Sequence, residues 1–181
     1  MIATVRPLDP LAAFHPAVSA WFREKLGEPT PVQERAWEAI RKGAHTLIAA
    51  PTGSGKTLAA FLTILNDLIA KACAGELERK TTILYVSPLK ALSNDVEKNL
   101  SRPLKDIQDA LFQSELKQVD ILVAVRTGDT PAAARAAMLK AHPHILITTP
   151  ESLFLLLTGK GGREMLKDVG TVIIDEIHAL V

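Results

Sequence analysis

The chain has 181 residues, enough for about one domain with a real core, and its 48% hydrophobic and 23% charged residues are those of a globular rather than a disordered protein. A formal net charge of +1 excludes nucleic-acid binding driven by a bulk basic field, but not a local site built from backbone amides. There is no charged-then-apolar leader and no apolar run long enough to span a bilayer, so the expectation is a soluble, cytoplasmic chain with no membrane partner.

Two helices are expected first, near 16–26 and 31–42, with Trp21 and Trp37 as packing residues and Phe14 in the core. Thr30, Pro31 and Gln33 stand as N-cap, N1 and N3 of the second helix, the pattern of a capping box. "HTLIAA" (45–50) reads as a buried strand and 56–73 as an apolar helix, in which Cys73 is a small core residue. As the single cysteine, Cys73 excludes a disulfide framework and fits a reducing compartment. "GELERK" (75–80) is a surface loop. Further strands follow at 81–86, 120–125, 144–149 and 171–175, separated by helices at 88–101, 103–116, 131–141 and 151–158. "HPH" (142–144) lacks further ligands at metal spacing and reads as loop and strand edge, while "GKGG" (159–162) reads as loop. Nearly continuous apolar strands alternating with helices predict a doubly wound, mostly parallel α/β sheet.

Polar, turn-forming segments follow all five strands: "PTGSGKT", "SPLKAL", "RTGDTP", "TPESL" and "DEIH". Ligands of open α/β sheets bind outside the carboxyl ends of the strands, so these segments predict one functional edge. "APTGSGKT" (50–57), between a strand and a helix, has the context of a phosphate-binding loop, with Ala50 where the general pattern has Gly. Thr52, Gly53, Ser54, Gly55, Lys56 and Thr57 form the nucleotide-binding set. The glycines let successive amides converge, Lys56 reaches the β- and γ-phosphates, and the Thr57 hydroxyl ligates Mg²⁺. The expected ligand is ATP with Mg²⁺. Asp175, at the end of an apolar strand, would hold Mg²⁺ directly or through water, and Glu176 would polarise the attacking water. The alternative is an Asp-Glu pair that only caps a strand end. Ser87-Pro88, Thr130-Pro131 and Thr149-Pro150 each read as an N-cap followed by Pro at N1. They are either well-formed helix starts or helix N-termini whose free amides bind phosphates of a nucleic-acid strand.

"TPVQERAWEAI", "APTGSGKT", "SPLKALSNDV", "RTGDT", "TTPESLFLLL" and "VIIDEIHAL", in that order, resemble the first RecA-like domain of superfamily 2 helicases. The likeness is closest to the large helicase-related (Lhr) proteins of DEAD/DEAH-box type, and it covers essentially the whole chain. It implies an ATP-dependent helicase, with residues 1–43 as a helical lead-in and 44–181 as an incomplete RecA-like ATP-binding domain. It further implies that Gln33 bonds the adenine edge and that Ser87, Lys90, Arg126, Gly128, Thr149 and Glu151 lie along a bound strand. That strand would be single or a tailed duplex, of DNA or a DNA–RNA hybrid. The family's second RecA-like domain, which supplies arginine fingers, and the strand that follows DEIH are not in this sequence. The chain alone is therefore expected to be inactive, and the alternative reading is a non-catalytic binding remnant of a helicase.

Overall fold

The computed structural model describes residues 9–88, 96–113 and 120–179. They divide into two compact units: Met1–Ala70 with Asn99–Gln118, and Lys71–Lys98 with Val119–Val181.

The first unit is helical. Helix α1 (Pro16–Leu26) and helix α2 (Pro31–Arg41) begin where the sequence places them, and α2 opens on the full Thr30–Gln33 capping box. Helix α3 (Lys56–Ala74) enters this unit from the phosphate loop, and helix α4 (Arg102–Gln113) packs on α1. Leu104, Ile107 and Leu111 are buried at the spacing that turns one stripe of α4 inward. Trp37 is fully buried, with Phe14 and Phe22 edge-on to it at centroid distances of 4.9 and 5.6 Å. Its indole N–H donates to the Ala59 carbonyl, satisfying the one polar atom that burial would strand. Trp21, half-buried, packs at the edge of Phe22 and donates to Asp106.

Helix α3 departs from the expectation that no apolar stretch is long enough to span a bilayer. With 19 residues it is long and apolar enough, by length and composition, to cross a bilayer. Nine of those residues are buried in the protein, so its apolar character is that of a core helix. Cys73, near its end, is half-buried rather than in the core.

The second unit holds a four-stranded parallel sheet in the order β2-β3-β1-β4: β1 Ile83–Val86, β2 Val123–Arg126, β3 Ile145–Thr148 and β4 Thr171–Ile174. β1 and β3 are buried along their whole length, as central parallel strands are. Helix α5 (Ala132–Ala141), helix α6 (Pro150–Thr158) and helix α7 (Lys160–Leu166) connect and flank the strands. Leu84, Val86, Leu146, Leu156 and Met165 form the core between sheet and helices.

Three expectations fail. Residues 45–50 form no strand, and Leu47 is 78% exposed. Their apolar pattern suits a strand, but a strand exists only as part of a ladder, and none of the described strands pairs with them. "GKGG" is not a loop: Gly159 separates α6 from α7, and a Cβ on Gly162 would collide with the Leu156 backbone, so the glycine allows the two helices their close approach. Thr130 is not a helix cap, because α5 starts one residue later, with Pro131 in the N-cap position. Of the helix expected at 88–101, residues 89–95 lie outside the described residues, and Glu97–Ser101 form a π turn.

Candidate functional site

In the first unit the loop 51–55, expected to bind phosphate, leads directly into α3. Gly53 and Gly55 hold φ of +82° and +86°, conformations that disfavour any side chain. Ser54 N–H donates to the Pro51 carbonyl, and α3 begins at Lys56. A helix start leaves its first amides without partners inside the helix, which suits them to an anion. Thr52 and Gly53 are exposed, Ser54 to Thr57 half-buried. The Ser54 hydroxyl is buried with no hydrogen-bond partner. The Lys56 ammonium donates to the carbonyls of Ala50 and Pro51 at 2.7 and 2.9 Å, so it rests on the loop's own oxygens.

The α2 cap touches this loop. Thr30 donates its hydroxyl hydrogen to the Ser54 carbonyl at 3.0 Å, while Gln33 Oε1 accepts the Thr30 N–H. Gln33 is buried, and its amide lies against Gly55. The sequence offers Thr30 as a cap, and only the fold shows that its hydroxyl also reaches the phosphate loop.

In the second unit the strand registers align the carboxyl ends of all four strands. Val86 pairs with Thr148 and with Ile174, and Arg126 pairs with Thr148. The next residues, Ser87, Thr127, Thr149 and Asp175, therefore share one edge, as four of the five polar segments predict, while "PTGSGKT" follows no strand.

Asp175 is held on three sides. Its N–H donates to the Val86 carbonyl, its Oδ1 accepts the Glu176 N–H at 2.9 Å, and its Oδ2 accepts the Tyr85 hydroxyl at 2.8 Å. Glu176 has φ +50°, an uncommon and strained backbone state for a residue with a side chain. The Glu176 carboxylate lies 3.3 Å from His178 Nδ1. Nothing in the local sequence marks Tyr85; its bond to Asp175 follows from the β1–β4 pairing.

Of the residues assigned to a nucleic-acid strand, Ser87 is fully buried and its hydroxyl has no partner. Arg126 is half-buried at the end of β2, with its carbonyl accepting the Thr148 hydroxyl. Burial, and then the like charge of Arg135, hold its guanidinium below the ordinary arginine range. Gly128 is exposed, with open space where a Cβ would stand. Thr149 is buried, and its hydroxyl accepts the Ser152 N–H as the cap of α6. Glu151 is exposed in the first turn, its carboxyl held below the usual range by its own backbone amide and by the Thr149 hydroxyl. The free end of α6 is thus already met by protein groups. Lys90 lies outside the described residues.

His144 is buried, with Nδ1 accepting the Leu122 N–H at 2.9 Å, so it works as a pin between β2 and β3. Among the described residues no three His, Cys, Asp or Glu side chains group to hold a metal ion. Thr57 and Asp175 each carry the oxygen donors that Mg²⁺ takes.

A family model described as DEAD/DEAH box helicase matches residues 30–181. The ATP-dependent helicase Lhr-Core of Methanothermobacter thermautotrophicus is 50% identical over 166 residues, covering 92% of this chain and 19% of that protein. The Lhr helicase/uracil glycosylase of Escherichia coli is 48% identical over 171 residues, covering 92% of this chain and 11% of that protein. The structure of Mycobacterium smegmatis helicase Lhr bound to ssDNA and AMP-PNP matches with a TM-score of 0.85 at 50% identity, covering 95% of this chain and 21% of that one. The fold is that of a RecA-like helicase domain, and the chain spans 19% or less of the length of these two curated relatives.

Proposed function

Since the chain belongs to the DEAD/DEAH box helicase family, we propose that it binds ATP and a nucleic-acid strand as the first RecA-like part of an ATP-driven motor. The observation that carries this reading is the loop 51–57. Two left-handed glycines, a helix start and a buried hydroxyl without a partner converge there, and a phosphate group would satisfy all of them.

On this reading Lys56 leaves the carbonyls of Ala50 and Pro51 for the β- and γ-phosphates, and Gln33 meets the adenine edge. Thr57 and Asp175 would hold Mg²⁺, which supplies neutralisation of phosphate charge. Glu176, its backbone already turned to a strained conformation, orients the attacking water and takes its proton. The edge formed by Ser87, Arg126, Gly128, Thr149 and Glu151, together with Lys90, carries the strand. Single-stranded DNA is the first choice of ligand, because the Mycobacterium smegmatis relative was solved with ssDNA. Steady turnover requires a second RecA-like domain, because the arginine that neutralises transition-state charge is worth roughly 10³–10⁵ in rate.

Calorimetric titration with a non-hydrolysable ATP analogue and Mg²⁺, followed by single-stranded DNA, tests this. Saturable binding of both is expected. A folded protein that binds no nucleotide would overturn the reading, and a preference for RNA would move it to the other class of strand.

A further inference from the structure

Tyr85 is the single tyrosine of the sequence and lies fully buried in the central strand β1. A phenol buried in a sheet is costly unless its O–H finds an acceptor, and this one donates to Asp175 Oδ2 at 2.8 Å. The register explains the reach: Tyr85 pairs with Ile173, two residues before Asp175 along β4. With Oδ1 accepting the Glu176 N–H, both oxygens of the carboxylate are tied, and the plane of the group is fixed. A single tie would leave the carboxylate free to rotate about its last bond.

We propose that Tyr85 is a positioning residue, whose hydroxyl fixes the Asp175 carboxylate in the orientation that receives a divalent cation. It does not touch the nucleotide; it acts through Asp175. Groups that orient a metal-holding side chain typically matter about tenfold to a hundredfold in metal affinity. The inference rests on the reading of Asp175 as the cation-holding acid.

Tyr85→Phe keeps the ring, the packing and the β1 ladder and removes only the hydroxyl. Mn²⁺ is the probe, its binding followed by electron paramagnetic resonance in the presence of a non-hydrolysable ATP analogue. Mn²⁺ affinity should fall about tenfold to a hundredfold in Tyr85→Phe, while nucleotide affinity measured without any divalent cation stays at the wild-type value. Asp175→Asn separates the two claims. If it leaves Mn²⁺ affinity unchanged, the reading of Asp175 fails. If it weakens Mn²⁺ binding while Tyr85→Phe does not, the positioning role alone is overturned. A second measurement needs no variant to fold. Wild-type protein with tyrosine carbon-labelled at Cζ alone gives one ring resonance, which should shift when Mg²⁺ joins the bound analogue. A resonance blind to the cation would overturn the proposal.

Discussion

Gln33 lies against Gly55 so closely that a Cβ on the glycine would stand 2.5 Å from the Gln33 Nε2. The glycine also holds φ +86°, so a side chain there meets two obstacles, a left-handed backbone and an occupied space. Gly53 provides the control, since its φ is +82° but nothing lies within 4 Å of its Cβ position. Both alanine variants should lose roughly 1–2 kcal/mol to the backbone. Gly55→Ala should also displace the Gln33 amide, and its nucleotide affinity should fall further than that of Gly53→Ala. Thermal unfolding and calorimetry on the pair decide it; equal losses of affinity would show that the glutamine contact plays no part.

The Lys56 ammonium, resting on the Ala50 and Pro51 carbonyls, is the basic side chain of the loop and is free to exchange those neutral acceptors for phosphate oxygens. Charge-assisted hydrogen bonds are worth roughly 1.5–3 kcal/mol. Lys56→Ala should therefore weaken ATP binding about tenfold to a hundredfold, with the melting temperature recorded alongside to separate binding from folding. Wild-type affinity in the variant would remove the assignment of the loop.

His144 makes part of the stability depend on pH. Burial first, and then the charge of Arg79, push its imidazole below the ordinary range, while Asp120 and the Glu78 backbone pull the other way by less. The unfolded chain thus takes up the proton first as pH falls. The contribution of His144 is fully present above about pH 6.5 and shrinks as the pH drops from there towards the lower folded value. Protonation of Nδ1 would also cost the bond to the Leu122 N–H. His144→Gln, whose amide oxygen can accept that bond without titrating, should lose melting temperature less steeply between about pH 7 and 5. Parallel pH profiles for the two proteins would contradict this.

What the sequence reveals here is what is settled by neighbours along the chain. The Thr30–Gln33 box, the Thr149 cap and the start of α3 at Lys56 are each decided within a few residues, and each is legible. Residues 45–50 look like a strand by the same local pattern, yet a ladder needs a partner, which no local pattern can supply. Tyr85 fails to stand out for the same reason. Its role depends on which strand lies beside β1 and in what register, a relationship across 90 positions of sequence. Thr130 shows how close two capping solutions are: the chain starts α5 one residue later, and the Thr130 hydroxyl instead accepts the Thr127 N–H within the turn.

Arg126 has no carboxylate partner among the described residues, and its backbone is anchored by Thr148. An unneutralised guanidinium at the carboxyl edge of the sheet suits a phosphate, which positions a strand without reading its bases. If about three phosphates are neutralised, the log–log salt slope of single-stranded DNA binding should be near −2. Arg126→Ala should lower affinity evenly across sequences and reduce that slope by about 0.7. Fluorescence anisotropy at several salt concentrations measures both. An unchanged slope would take Arg126 out of the interface.

Strand β4 carries the last prediction. It pairs with β1 on one side and has no strand neighbour on the other among the described residues, and Val172 and Ile174 are 54% and 50% exposed. An edge strand with free backbone groups and apolar side chains is a template for pairing with another chain, and natural edges are often blunted by polar or charged residues. The protein should therefore self-associate as its concentration rises. Val172→Thr keeps the branched shape a strand favours, and Ile174→Lys adds a charge that a second strand would have to bury. Neither touches the Tyr85–Asp175 bond, which belongs to the paired side of the strand. Sedimentation velocity over a concentration series should show the double variant staying monomeric where the wild type shifts to larger species. Equal association of the two would place the contact elsewhere on the protein.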